Sequence, residues 1–264
     1  METLVRYQLA KKIALIVGEK ITDLHTGELQ VYYKDDHAQD PVTNLDELAQ
    51  QIIIQLILEV FKSDQIYAEE NNRQQTNLES ENLWIIDPID GTANFMHGSP
   101  FWGISIAFAQ KGQIKFGIVY CPEIRNMYEA YEGKGALLNA KPISVSKINI
   151  LEHALITTGI THQLKNQPTQ KDLKMKLFFR LFEKAQRVRI LGSSVLQICE
   201  VAAGHSEAFI GTGLKPWDFA AAAKILSEAG GKTTDFYQHD ASLSDQDLIC
   251  SNSMIHSQLT DLLK

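Results

Sequence analysis

Apolar residues near the start of the chain recur at helical spacing, with Leu4, Leu9, Ile13, Ile16 and Val17 facing one way. The pattern predicts an amphipathic helix over residues 3–21. Residues 24–43 break it with Lys34, Asp35, Asp36, Asp40 and Pro41, and read as a solvated polar connector. A second helix, LDELAQQIIIQLILEVFK, follows with Thr43 or Asn44 as its cap and acids in its first turn, where the helix dipole favours them. QIYAEE reads as a short strand running into Glu69 and Glu70, and NNRQQTNLESEN as a loop. LWII, from Leu83, is apolar and β-prone and predicts a buried strand. Between residues 101 and 143 the alternation has period two and breaks at Lys111-Gly112 and Pro122-Glu123. That predicts a meander of antiparallel strands.

From about residue 152 the grammar changes. ALITTG, RVRIL, SEAFIG and DLICSN read as strands. DLKMKLFFRLFEKA, SVLQICEVAAG, DFAAAAKILSEAG and the terminal MIHSQLTDLLK read as helices, the third of them ended by Gly230-Gly231. Strands alternating with helices predict an α/β lobe. The chain thus divides into an α+β lobe over 1–145 and an α/β lobe over 146–264. It holds no repeat, low-complexity tract or Pro-rich linker, so the lobes are expected to share one packed body.

Composition narrows the function. The 264 residues are 44% hydrophobic, enough for a substantial core, and the formal net charge is −7. An acidic balance argues against nucleic-acid polymers and membrane surfaces as partners, since both attract basic faces. No apolar run approaches the roughly 20 residues of a membrane span, and the first twenty residues carry no signal-peptide pattern. Cys121, Cys199 and Cys250 lie far apart without a C-x-x-C pair, which predicts buried thiols in a reducing cytoplasm. The eight histidines show no zinc-binding spacing. Gly204-His205-Ser206-Glu207-Ala208 imitates a hydrolase elbow, but with a helix before it and a strand after it, the reverse of what that turn requires.

The predicted strand at Leu83 ends in Asp87 and Asp90, with Pro88 between them and Gly91 and Thr92 after. Pro88 restricts the loop, and Gly91 permits close approach of a ligand to the main chain. Thr92 is placed to cap a short helix whose free N–H groups suit an anion. Two acids converging beside such donors are the parts of a metal-assisted phosphoryl site. Read alone, the same residues are ordinary turn chemistry. Glu69-Glu70 is by itself a solvated acidic pair, Asp218 a helix N-cap, Asp46 a first-turn acid, and Gly192-Ser193-Ser194 a helix-capping turn.

The whole string Asp-Pro-Ile-Asp-Gly-Thr, with Asn94 and Phe95 behind it, resembles the signature of the inositol monophosphatase family of magnesium-dependent phosphatases. Glu69-Glu70 and Trp217-Asp218 match two further family motifs, in order, across about 150 residues. The resemblance implies the layered αβαβα sandwich of the sugar-phosphatase superfamily, a homodimer, inhibition by lithium, and two or three Mg²⁺ ions per site. It implies that Asp87 bridges two ions, with Glu69 and the Ile89 carbonyl on one and Asp90 and Asp218 on the other. It also implies that Asp46 and Thr92 orient the attacking water. Phosphate and alcohol contacts would come from Glu69, Asp90, Gly91, Thr92, Gly192, Ser193, Ser194 and Asp218. Lys34 lies near a basic position of the family with a spacing about one residue different, and is given no role.

One departure concerns specificity. Gly211 stands where inositol-specific relatives carry a Glu for the inositol hydroxyls. The implied reaction is hydrolysis of a small phosphate monoester, with inositol 1-phosphate as the reference substrate. Fructose 1,6-bisphosphate, NADP(H) and 3′-phosphonucleotides compete with it, and the missing side chain is expected to leave room for a larger alcohol. A non-catalytic binding protein on the same fold is the alternative class, which the intact acids and Thr92 disfavour.

Overall fold

The computed structural model describes residues 2–25, 29–33, 41–70, 76–159 and 168–263, with the backbone alone for 168–173. Lys34, Asp35, Asp36 and Asp40 lie outside the described residues, as does the start of the loop after Glu70. The chain opens with α1 (Glu2–Leu24), whose buried stripe runs through Ala10, Ile13, Ala14, Val17 and Ile21. Leu4 and Ile16, expected on that stripe, are half exposed; small alanines take their place and let the helix lie close to its neighbours. Next come β1 (Val31–Tyr33), β2 (Pro41–Thr43) and α2 (Asn44–Val60). The connector is therefore more than a loop, because β1 and β2 pair antiparallel within it.

The seven-stranded sheet contains β3 (Gln65–Ala68), β4 (Leu83–Asp90), β5 (Gly103–Gln110), β6 (Gln113–Cys121), β7 (Asn126–Tyr131), β8 (Ala136–Leu138) and β9 (Lys141–Ile143), in that order. Only β3 and β4 pair parallel; the others form the expected meander. A short helix, α3 (Thr92–Met96), follows β4. The second half comprises β10 (Leu155–Gly159), α4 (Pro168–Lys184), β11 (Arg187–Arg189), α5 (Ser194–Ala202), β12 (Ala208–Gly211), α6 (Pro216–Glu228), β13 (Lys232–Asp235), β14 (Leu248–Ser251) and α7 (His256–Asp261). Its strands order as β11-β10-β12-β14-β13, with β14 antiparallel to both neighbours. β13 was not anticipated, because KTTD is short, polar and at the sheet edge.

The strand alternation explains the layering. Trp84, Ile86, Ile104, Ile106 and Phe108 face α1 and α2, while Leu83, Ile85, Ala107 and Val119 face α5 and α6. On the far side of α5 and α6 lies the second sheet, through Phe209, Leu248 and Cys250. Its outer face, Ile156, Ile210 and Ile249, is covered by Leu177 and Leu181 of α4 and Leu259 of α7. The order is thus αβαβα. At its centre α6 presses on β6 so closely that a methyl group on Gly117 would intrude on the Ala221 carbonyl. Arg6 of α1 holds Asp64 through two bonds of 2.7 and 2.8 Å, and Asp64 also accepts from the Trp84 indole at 2.9 Å. This buried polar node fixes α1 and the α2–β3 turn against the start of β4. No helix among the described residues is long and apolar enough to cross a membrane.

Candidate active site

The site begins with an irregularity in β4. Asp87 pairs with Ser105 of β5 and Asp90 with Gly103, so three steps on β4 match two on β5. Residues three apart on a regular strand point to opposite faces. The extra residue of the bulge restores parity and turns both carboxylates to the same side. Pro88, which has no N–H to give a ladder, sits inside the bulge. Asp87 Oδ1 accepts from Ile89 N at 3.0 Å, closing the turn.

Asp218 arrives from the other lobe. The helix it was expected to cap starts earlier, at Pro216 with Lys215 as N-cap, so Asp218 is the third helical residue. From there its Oδ2 accepts the Lys215 N–H at 2.7 Å and satisfies one orphan donor of the helix end. One carboxylate oxygen each from Asp87, Asp90 and Asp218 lies within 4.8 Å of the others. Glu69 stands beside this trio. β3 pairs with β4 so that Ala68 faces Ile86, which brings Glu69 level with Asp87, and its N–H donates to Ile86 O at 3.1 Å. Glu70 is buried, with its main chain clamped by the Gln50 amide at 2.6 and 2.8 Å.

Asp90 occupies the N-terminus of α5. Its Oδ2 accepts from the Ser193 hydroxyl and from Val195 N at 3.0 Å, where the positive helix end favours an anion. Ser193 is also the N-cap, accepting from Leu196 N at 3.3 Å. The Gly192-Ser193-Ser194 turn therefore cradles a site carboxylate, a task its capping pattern did not reveal. Gly192 has φ +83°, and a methyl there would press on Asn94. Asn94 in turn donates to Phe101 O at 2.6 Å and Leu191 O at 2.7 Å, tying α3 to the α5 turn.

Thr92 does not cap α3. The cap is Gly91 at φ +94°, and Thr92 is the first helical residue. Its hydroxyl is instead directed to Asp46 Oδ1 at 2.9 Å, with Ile89 O at 3.2 Å. Asp46 is fully buried, and its Oδ2 takes Thr43 N at 2.8 Å and Thr43 Oγ1 at 2.5 Å. Thr43 and Asp46 form a capping box, a pairing that the Thr-x-x-Asp spacing could have revealed.

Gly211 ends β12 at a buried position, and its missing side chain leaves no room. The space a Cβ would take is filled by Leu214 and Phe209, with the nearest atoms at 2.6 and 2.7 Å. The expected enlargement of the alcohol site is overturned, and a Glu at 211 would have to displace two buried apolar side chains. Ser206 follows α5 and precedes β12, so the elbow look-alike has the wrong surroundings.

The electrostatics are those of a buried cluster of mutually repelling acids. Burial, then Glu69 and the other acids, push the Asp87 carboxyl well above its usual range. Asp218 is raised for the same reasons. Asp90 is pushed up to about 7, burial outweighing its bonds to Ser193 and Val195. Burial also raises Asp46 to about 6 against three hydrogen bonds. Convergent carboxylates that repel one another, with oxygen donors only, fit a hard divalent cation and can hold a metal.

Fold and site together define a phosphate-ester hydrolase of the layered αβαβα architecture. The family model described as "Inositol monophosphatase family" matches residues 2–264. The Thermotoga maritima fructose-1,6-bisphosphatase/inositol-1-monophosphatase is 35% identical over 258 residues, covering 98% of this chain and 95% of its own. Human inositol monophosphatase 2 is 38% identical over 237 residues, 87% of this chain and 80% of its own. A solved structure of inositol monophosphate-bound staphylococcal IMPase-II, 26% identical, matches with a TM-score of 0.83 over 99% of this chain and 98% of its own. That protein has also been solved with 2′AMP bound. The chain belongs to the inositol monophosphatase family and is a phosphatase.

Asp87 offers a test of the charge cluster. An unfolded Asp ionises near pH 3.9, whereas the folded Asp87 keeps its proton to much higher pH. Between those limits the folded state binds more protons, so the metal-free protein loses stability as pH rises. Asp87→Asn keeps the acceptor for Ile89 N and removes the charge. Its metal-free Tm should exceed wild type by at least about 2 °C at pH 8 and by less at pH 5. A gain independent of pH, read by differential scanning fluorimetry in chelator, would count against the cluster.

Proposed function

We propose that this chain is a Mg²⁺-dependent hydrolase of small phosphate monoesters, with inositol 1-phosphate as one substrate and sugar or nucleotide phosphates as others. The observation that carries the reading is the convergence of Asp87, Asp90 and Asp218, with Glu69 level with Asp87 and the Thr92–Asp46 pair alongside. The ligand set is Glu69, Asp87, the Ile89 carbonyl, Asp90 and Asp218, drawn from both the 1–145 and 146–264 lobes. When bound there, two or three Mg²⁺ ions supply Lewis-acid polarisation of the phosphate and a lowered water pKa. The lithium sensitivity implied by the sequence resemblance belongs to the same proposal.

The protein's own part is to hold and deprotonate water. The single Thr92 hydroxyl proton goes to Asp46, the charged and nearer acceptor. This leaves a Thr92 lone pair to accept from a water O–H. As the water oxygen bonds to phosphorus, its proton passes to Thr92 Oγ1 and the Thr92 proton passes to Asp46 Oδ1. Meanwhile the bond from phosphorus to the alcohol oxygen breaks, its electron pair leaving on that oxygen, which takes a proton from solvent, to which Asp46 returns one. An acceptor raised to about 6 suits that task near neutral pH. Gly91 and Thr92 line the phosphate. Gly192 and Ser194 are left to face the alcohol, because Ser193 Oγ is engaged with Asp90.

Breadth of substrate is supported by the double name of the Thermotoga relative and by the two ligands seen in staphylococcal IMPase-II. A homodimer is supported by apolar side chains left in solvent on α4 and just beyond β11: Phe179 at 59%, Phe182 at 69% and Ile190 at 57% exposure. Three free, buried cysteines favour the cytoplasm.

Hydrolysis of a panel containing inositol 1-phosphate, fructose 1,6-bisphosphate, NADP⁺ and 2′AMP should require Mg²⁺ and stop in excess EDTA. Turnover that persists in EDTA refutes the metal reading. Thr92→Ala and Asp46→Asn should each lower kcat about 10²–10⁴-fold with little change in KM, and the double mutant should be little worse than either. Full additivity would show that the pair does not act as a unit. Light scattering should give twice the chain mass for wild type and one chain mass for Phe182→Glu; a monomeric wild type ends the dimer proposal.

A further inference from the structure

Asn94 belongs to the signature string, yet it is neither a metal ligand nor one of the groups that hold water or phosphate. Its side chain lies across a seam where the two halves of the site meet. On one side is the Gly91-Thr92 turn of the first lobe, on the other the Gly192-Ser193-Ser194 turn of the second. The main chains approach so closely that a methyl on Gly91 would lie 3.2 Å from Gly192 O and 3.1 Å from Phe101 O. The Asn94 amide nitrogen spends its protons on two carbonyls, Phe101 O at 2.6 Å in its own lobe and Leu191 O at 2.7 Å in the other. The Leu191 N–H is held from within the second lobe by the buried Gln197 side chain at 3.1 Å. Leu191 is thus gripped at its N–H by one lobe and at its C=O by the other.

The site residues depend on that grip unequally. Thr92 has its partners within the first lobe, Asp46 Oδ1 and Ile89 O. Asp90 belongs to β4 of the same lobe, but its Oδ2 is held by the Ser193 hydroxyl and Val195 N of the second. Those donors follow shortly after Leu191, so the placement of Leu191 sets whether they reach the carboxylate. We propose that Asn94 is a positioning residue for metal binding: by holding Leu191 across the seam, it keeps Ser193 and Val195 on Asp90. This rests on the phosphatase reading above and adds to it a residue that assembles the site without touching the metal. Asn94 is half-buried, so water can serve the two carbonyls once the amide is gone. Its removal should therefore cost geometry more than stability.

Asn94→Ala removes the grip, and Asn94→Leu removes the donors while keeping most of the bulk. The probe is Mn²⁺, which suits the same oxygen ligands and whose free-ion electron paramagnetic resonance signal is lost on binding. In substrate-free protein, both variants should need about 10–100-fold more Mn²⁺ than wild type to fill the site, the usual scale for a group that orients a metal ligand. The number of ions bound at saturation should not change. With inositol 1-phosphate, saturating Mg²⁺ should bring kcat back to within about threefold of wild type, because Thr92 keeps its own anchors. A merely structural role would lower Tm and the fraction of protein that binds metal, without moving the affinity. Ser193→Ala cuts the same chain of contacts one link later. The double variant with Asn94→Ala should therefore bind Mn²⁺ no more than about twofold more weakly than the weaker single variant. Wild-type metal affinity in Asn94→Ala or Asn94→Leu, full additivity with Ser193→Ala, or failure of both Asn94 variants to fold would overturn the role of Asn94 while leaving the phosphatase intact. If wild type neither binds Mn²⁺ nor hydrolyses inositol 1-phosphate with Mg²⁺, the phosphatase reading fails, and the inference fails with it.

Discussion

Carboxylates that repel one another can be held together only if the surrounding structure fixes each of them separately. Here the four aspartates of the site each have such a holder. Asp87 is fixed by the amide of Ile89, Asp90 by Ser193 and the first turn of α5, Asp218 by the N–H of Lys215, and Asp46 by Thr43. Each of these bonds comes from a main-chain N–H or a hydroxyl, and the charge of Lys215 offsets only part of the upward push on Asp218, so the acids are oriented without being neutralised. A metal bound there would relieve the repulsion, and its binding would be coupled to proton release. Stability forgone in such an acid cluster is the usual cost of a preorganised site.

The layered fold follows from the same constraint. β4 can carry two acids on one side only because the bulge at Pro88 interrupts its pairing with β5. The end of β4 is then open to α5 and α6, which lie between the two sheets. Both helices reach the acids with their N-terminal turns, the ends that tolerate negative charge. α2 contributes from the opposite layer. Asp46 and Gln50 interrupt its otherwise apolar buried stripe, and both are spent on the site, one on Thr92 and the other on the main chain of Glu70.

Elements with strong periodicity were legible in the sequence: α2, the meander from β5 to β9, and the alternation after residue 152. The misses share a physical origin. α1 buries alanines where larger apolar residues were expected, because close helix packing rewards small side chains as much as large ones. β1, β2 and β13 are three or four residues long and partly polar, too short for a period to show. At the site, Asp87 and Asp90 stood out by their spacing, and Glu69, Asp46 and Asp218 gained weight from the family resemblance. Which face Asp90 and Asp87 share depends on a bulge, and the tie between Ser193 and Asp90 spans over a hundred residues. Neither has a local signal.

Specificity shows where reasoning from a missing side chain goes astray. Gly211 suggested vacant volume, but a glycine in a packed layer is as often a place where neighbours have closed in. Leu214 and Phe209 have done so here, both almost wholly buried. The segment around Gly211 therefore departs from the inositol-specific pattern in charge more than in volume. It lacks an acid on β12 and has a lysine four residues later on the loop that also delivers Asp218. Because Gly213, Leu214, Lys215 and Asp218 are bonded into one short segment, Asp218 and the lysine before it are held together on that loop. The loop whose Leu214 closes the space beside Gly211 is thus the loop that also fixes Asp218, so close packing at the end of β12 bears directly on the geometry of the acid cluster.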